Sequence, residues 1–210
     1  RTDPNGFGHV FGNPLGGFMS LICFKNGSLA RERVKEEFGL AWDDFGPAGL
    51  ATTTAGNEGR VMIPFFEPEI TPRVDLGGAR YSGWSGERDA PTTVRAVLEG
   101  QFINMKAHSH WLGIEPETIL LTGGASQNDG IAQVVANVFN TPVARLSVSG
   151  SAGLGAAMRA ALASTDASLD ELEARFCSPE AGSTVNPDPG AGACYTKFEQ
   201  LYLDSLKAAG

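Results

Sequence analysis

The chain has 210 residues, 42% of them apolar and 19% charged, with a formal net charge of −8. That length buries a core without staples, as one large domain or two small ones, and the composition excludes a disordered chain. The acidic balance argues against nucleic acid or an anionic membrane surface as a partner, yet leaves phosphate ligands open, because backbone N–H groups hold phosphate without a basic protein.

The chain starts at Arg1 rather than at a methionine, which suggests a piece of a longer protein, and no signal peptide is evident. "GHVFGNPLGGFMSLICFKNG" predicts a hairpin: a strand near His9–Phe11, a Gly/Pro turn and a second strand over Phe18–Phe24. That second run is strand-sized, and no apolar run approaches a membrane span. "SLARERVKEEFGL" predicts an amphipathic helix stopped by Gly39, and a short helix is expected over Trp42–Leu50. "TTTAGNEG" reads as loop and "RVMIPFF" as strand. Residues 67–90 are rich in Gly, Pro, Arg and Asp and are expected to be irregular.

Pro91 suits the first residue of a helix, with Val94, Val97, Leu98, Phe102 and Met105 as one apolar face down to about Trp111. "ETILLTG" predicts a strand. Ile131, Val134, Val135, Val138 and Phe139 then fall at i, i+3, i+4, i+7 and i+8, a helical stripe. "TPVARLSV" is the next strand, and Leu154, Ala157, Met158, Ala161 and Leu162 repeat the stripe. A strand, helix, strand, helix series with short turns implies parallel strands and right-handed crossovers. The expected division is a domain over residues 1–176, a linker over 177–192 and a C-terminal helix over 193–210 packing back on the domain. Cys23, Cys177 and Cys194 are few, odd in number and widely spaced. They fit a reducing, cytoplasmic setting better than a disulfide framework.

The turn "TGGASQN" sits between a strand and a helix, at the strand end where open α/β sheets bind ligands. It has two readings. One is a plain turn with a Ser126 or Asn128 cap. The other is a ligand site, in which Gly123 and Gly124 let a flat ligand approach the backbone and the spare side chain bonds a base edge or ribose. The pattern is neither a P-loop nor a Rossmann fingerprint.

The stretch "ILLTGGASQNDGIAQVVANVFNTPVARLSVSGSAGLGAAMRAAL" resembles the nucleotide-binding segment of the FGGY family of carbohydrate kinases. "VRAVLEGQFINMKAH" resembles the helix that precedes it in that family. "GHVFGNP…FMSLICFKNGSLARERV" and "FFEPEITPR" look most like the eukaryotic-type xylulose kinases. The resemblance covers about residues 7–165. It implies an α/β fold of the ribonuclease H-like, actin/hexokinase type, a mixed sheet with helices on both faces, and only the second of two domains. The N-terminal domain of such an enzyme carries most sugar contacts and the catalytic base, so no catalytic residue is expected here. A phosphate hairpin is expected before Arg1.

By the same resemblance, Gly123, Gly124 and Ala125 would lie along adenosine, with Ser126 and Asn128 as polar contacts and Asn128 best placed for the adenine edge. Gly27 matches a glycine close to the nucleotide, followed by Ser28 and by Arg31, which either reaches a phosphate or faces solvent. Ser151, Gly153 and Gly155 read as close helix packing. The implied ligands are ATP or ADP with Mg²⁺ and a small sugar, D-xylulose first. The implied partner is the missing N-terminal domain, with no nucleic acid or membrane partner. The isolated chain is expected to be inactive.

Other chemistry is weaker. His108 and His110, two apart on a helix, make a poor metal pair, and no metal site of the chain's own is expected. Glu67 and Glu69 are either paired carboxylates for acid/base work or loop acids. Arg73, Arg80, Arg88, Asp75 and Asp89 read as surface charges, and Glu99 as structural. The competing function is a non-catalytic nucleotide-binding or scaffold module of actin-like fold. A nicotinamide oxidoreductase is disfavoured, because no G-x-G-x-x-G opens a helix after a strand.

Overall fold

The computed structural model describes residues 1–13, 16–148 and 150–210. The chain divides into two units: residues 1–115 with 189–210, and residues 116–188.

The first unit is organised around α3 (Ala90–Ala107). Asp89 caps it, its carboxylate accepting from the Thr92 backbone N–H at 2.8 Å, and Pro91 occupies the first turn, where its missing N–H costs nothing. Every residue from Thr93 to Asn104 is buried. The one-sided apolar face read from the sequence is therefore too narrow, because α3 is packed on several sides. Helix α1 (Ser28–Glu37) gives Ala30 and Val34 to the core. Helix α2 (Trp42–Leu50) gives Phe45, and its Gly49 approaches Val94 so closely that a Cβ there would sit 2.3 Å from a valine methyl. Helix α3 also ends earlier than expected, at Ala107, with His108 as its cap residue and a 3-10 turn over His110–Leu112.

Strand β3 (Val61–Ile63) is fully buried and pairs antiparallel with β4 (Arg80–Ser82). The region expected to be wholly irregular thus contains a strand. The hairpin of β1 (His9–Gly12) and β2 (Phe18–Leu21) forms with His9 opposite Leu21 and Gly12 opposite Phe18. The expected Gly/Pro turn includes Pro14 and Leu15, which lie outside the described residues. Strand β2 stops three residues short of Phe24, and all eight hairpin positions are exposed. The last helix, α7 (Ala191–Ala209), packs on α3 and β3 and buries Tyr195, Phe198 and Tyr202.

In the second unit, β5 (Ile119–Leu121) and β6 (Val143–Arg145) pair in parallel, Ile119 opposite Val143. Helix α4 (Asp129–Phe139) makes the crossover and buries the predicted stripe from Ile131 to Val138. It ends at Asn140 in the left-handed conformation. Antiparallel bridges pair Val143 with Val185 and Leu146 with Pro179, so the Pro/Gly-rich stretch supplies sheet partners. Asn137 fixes that stretch by donating to the Asp188 carboxylate at 2.9 Å and accepting from the Asp188 N–H at 2.7 Å. Helices α5 (Ser151–Ser164) and α6 (Leu169–Phe176) pack on each other, with a Ser168–Glu171 capping box on α6. Helix α5 buries no residue, and a Cβ at Gly153 or Gly155 meets nothing within 4 Å. The expected tight packing at those glycines is not what this chain shows, because both are exposed and no described residue stands against them.

Candidate functional site

The turn after β5 is built by glycine and two small polar side chains. Gly123 has φ 84° and ψ −178°, a backbone that a side chain would strain. Residues Gly124–Gln127 then form one 3-10 turn. Ser126 closes it, its N–H and its hydroxyl both donating to the Gly123 carbonyl, at 3.1 and 2.7 Å. Asn128 caps α4, its Oδ1 accepting from the Ile131 N–H at 3.1 Å. Asn128 rather than Ser126 is therefore the cap. Its Nδ2 makes no hydrogen bond among the described residues. Gly123 and Gly124 are exposed, Ala125 is half-buried, and a Cβ at either glycine meets no atom within 4 Å. The result is a shelf of bare backbone at the carboxyl end of a parallel strand, with one amide donor beside it. Asp129 and Arg145 form an ion pair nearby.

In the first unit, Gly27 precedes α1 and gives it no side-chain cap. Ser28 is exposed. Arg31 neither faces solvent nor is free: it is buried, and its guanidinium donates to Gln101 Oε1 at 2.8 Å. Burial lowers its pKa from the ordinary guanidinium value, with the negative charge of Glu32 opposing that. Gln101 donates in turn to the Asn26 carbonyl at 2.6 Å and to the Gly27 carbonyl. Glu69 is buried too and accepts from the N–H groups of Lys25 and Asn26 at 2.6 and 3.1 Å. The candidate residues thus fall into two groups, Gly27–Arg31 in one unit and Gly123–Asn128 in the other. Asn26 and Gln101 are not apparent from sequence. Their only trace is polarity where the pattern is apolar, Gln101 and Asn104 interrupting the buried run of α3.

Several of the remaining candidates have structural partners. Glu99 is wholly buried under α7. His108 Nδ1 lies 2.9 Å from the Asn104 carbonyl, and His110 Nε2 lies 2.6 Å from Glu199. Arg88 stacks on the Tyr81 ring at 3.9 Å and pairs with Glu37 at 2.7 Å. Asp75 binds the Gly77 N–H, and Arg80 binds the Gly78 carbonyl. An open cavity of about 550 Å³ lies between α7 and the Thr54–Gly59 loop, lined by Ala55, Gly56, Cys194, Lys197 and Phe198 among others. None of the candidate residues lines it, so cavity size is no guide to the chemistry. Among the described residues no three His, Cys, Asp or Glu side chains converge, and no helix is long and apolar enough to cross a membrane.

The sequence pattern of the FGGY family of carbohydrate kinases, C-terminal domain, matches residues 4–164. A xylulose kinase of Rattus norvegicus is 37% identical over 209 residues, covering 94% of this chain and 38% of that protein. The chain therefore spans well under half the length of that relative. A ligand-bound xylulose kinase from Lactobacillus acidophilus superposes with a TM-score of 0.85 at 24% identity, covering 99% of this chain and 43% of its own. A gluconate kinase from the same organism superposes with a TM-score of 0.84, also at 24% identity, with the same coverage of 99% and 43%.

Proposed function

The chain belongs to the FGGY family of carbohydrate kinases, as its C-terminal domain, with the ribonuclease H-like fold of actin- and hexokinase-type ATPases, and from that premise we propose that it is the ATP-binding portion of a kinase that phosphorylates a pentulose, D-xylulose. The observation that carries this reading is the exposed glycine shelf after β5. The choice of sugar leans on sequence likeness to a xylulose kinase. Fold likeness does not choose, since a gluconate kinase is as similar in shape as a xylulose kinase.

The residues present fit an adenine nucleotide. Gly123 and Gly124 leave room where side chains would stand, so adenosine lies along them and Ala125. Asn128 directs its Nδ2 donor to an acceptor on the base while Oδ1 stays on α4. Ser126 keeps the turn in shape through the Gly123 carbonyl. Gly27, Ser28 and Arg31 are the nucleotide contacts of the first unit. Arg31 reaches one only by exchanging Gln101 for a phosphate oxygen. The described residues offer no carboxylate cage for Mg²⁺, so the ion belongs with the phosphates and water, as Mg²⁺ does in many kinases.

ATP with Mg²⁺ supplies the phosphoryl group. The task of this chain is positioning and exclusion of water, which carry most of phosphoryl-transfer catalysis. Sugar contacts and the base for the attacking hydroxyl belong to an N-terminal domain, so the chain alone binds nucleotide without turnover. A cytoplasmic location fits its three free cysteines. Calorimetry on the wild-type chain and on Gly124→Val tests the reading. Space around Gly124 lets the valine variant fold, so its effect reports the ligand. ATP and ADP should bind the wild type and bind the variant at least about tenfold more weakly, a loss of roughly 1.4 kcal/mol. Equal binding to both would remove the glycine shelf from the site, and a wild type that binds neither would remove the nucleotide reading for this chain.

A further inference from the structure

The turn Lys25–Gly27 is held by buried polar chemistry out of proportion to its size. Glu69 is 4% exposed, Asn26 3%, Gln101 3% and Arg31 8%. The Glu69 carboxylate accepts from the Lys25 N–H at 2.6 Å, the Asn26 N–H at 3.1 Å and the Asn26 side-chain amide at 2.9 Å. It also accepts from its own neighbour, the Ile70 N–H, at 2.7 Å. Asn26 answers in both directions, accepting from the Glu67 N–H at 3.0 Å and donating to the Glu67 carbonyl at 2.9 Å. From the other side, Gln101 of α3 binds the Asn26 and Gly27 carbonyls, and Arg31 binds Gln101.

Burying a carboxylate, a guanidinium and two amides is costly unless each is satisfied. Here each has partners, and four of the nine resulting bonds end on the backbone of one three-residue turn. A turn that merely joined β2 to α1 would need no such investment. Two apolar side chains would bury the same volume without desolvating charge. What a carboxylate adds is direction. It accepts several N–H groups at once and so fixes the turn in a single conformation.

We propose that Glu69 is a positioning residue for nucleotide binding: it acts through Asn26 to hold the Lys25–Gly27 turn in the conformation that presents Gly27 and Ser28 to the phosphate side of the ligand. The proposal rests on the nucleotide reading above. Glu69 itself touches no ligand. In place of the acid/base and loop-acid alternatives of the sequence, it anchors a turn whose residues are more than 40 positions away in the chain.

Glu69→Gln is the test. Glutamine keeps the volume but turns an N–H₂ group toward backbone donors, so one or more of the Lys25 and Asn26 amides loses its acceptor. Amide hydrogen exchange by NMR and titrations with ADP and with adenosine are measured on the wild type, Glu69→Gln and the neighbouring control Glu67→Gln. Exchange at Lys25, Asn26 and Gly27 should rise about tenfold in Glu69→Gln, with β3 and α3 protection unchanged, since a lost buried acceptor is worth about that factor or more. ADP affinity should fall about tenfold and adenosine affinity should hold within about twofold. The control should move neither. Unchanged exchange at the turn overturns the proposal, as does unchanged ADP affinity. A parallel loss of ADP, adenosine and core protection also overturns it, because that is the signature of a purely structural residue. If Glu69→Gln does not fold, Glu69→Asp takes its place. It keeps the charge but draws the carboxylate back from the Lys25 and Asn26 amides, and the same results support or overturn the proposal. A wild type that binds no ADP sinks the nucleotide reading, and the proposal with it. That failure is read from the wild type alone.

Discussion

Glu99 carries its carboxylate where water does not reach. It is fully buried, and Oε1 accepts from Tyr195 Oη at 2.7 Å, the Gly56 N–H at 2.9 Å and Arg95 at 3.3 Å, while Oε2 has no hydrogen-bond partner among the described residues. Burial pushes the acid up from its ordinary 4.5 to about 7, against the opposing pull of Tyr195, Arg95 and Gly56. Tyr195 is raised in turn, first by burial and then by the Glu99 charge, and Cys194 beside it rises for the same two reasons. The folded state therefore holds the Glu99 proton more tightly than the unfolded chain does. Linkage fixes the sign: the contribution of Glu99 to stability is complete below about pH 4.5 and is lost as the pH rises through about 7. The size is on the order of 2–3 kcal/mol. Urea unfolding of wild type and Glu99→Gln at pH 5, 6, 7 and 8 isolates it from other groups. The wild-type advantage at pH 5 should shrink by about that amount at pH 8. A difference that stays constant across the range would mean that Glu99 does not titrate there.

At the scale of elements, α3 approaches β3 as closely as it approaches α2, and here the near atom is backbone. A Cβ at Gly100 would stand 2.3 Å from the Met62 carbonyl oxygen and 3.1 Å from Pro64 Cδ. Alanine is the better helix former by about 1 kcal/mol, but a clash with backbone cannot be relieved by a rotamer change. Overpacking should win, and Gly100→Ala should lower the melting temperature by an amount equivalent to about 1–3 kcal/mol. Gly153→Ala on exposed α5, where no atom lies within 4 Å, should gain up to about 1 kcal/mol. Thermal melts that shift the same way for both would show that propensity decides and packing does not. The same elements show what could be read ahead of the structure. Helix α2 and the α4 stripe were legible because their signals are local, a helical spacing between strong stops. Strand β4 was not, because Arg80, Tyr81 and Ser82 become a strand only by pairing with β3, about twenty residues back. The Gly123–Asn128 turn was legible from its glycines and its cap. The Glu69, Asn26 and Gln101 cluster was not, because its bonds join residues 43 and 75 apart in sequence.

At the scale of the whole molecule, the β1–β2 hairpin is the part with least cover. None of its eight residues is buried, and Phe18 is 83% exposed, with Val10, Phe11, Met19 and Leu21 also on the surface. Contiguous apolar residues on a strand pair invite association, both through side chains and through unpaired strand edges. In the kinase reading a second domain covers apolar surface of this kind, and the chain alone must find another cover. Fully burying one such side chain is worth about 1.5–3 kcal/mol, and association costs about 4–15 kcal/mol before any contact gains. The five exposed side chains divide between the two faces of the ribbon, Phe11, Met19 and Leu21 on one and Val10 and Phe18 on the other, so they support weak self-association rather than a tight dimer. We expect a dissociation constant on the order of 10–100 μM, which corresponds to about −7 to −5 kcal/mol. Sedimentation velocity over that concentration range should show the weight-average coefficient rising for the wild-type chain, and Phe11→Ser with Phe18→Ser should flatten the rise. Both phenylalanines are exposed, so the double variant keeps its fold. A wild-type chain that stays monomeric across the range would mean that the hairpin is tolerated bare. An association that the double variant leaves intact would place the contact elsewhere on the surface.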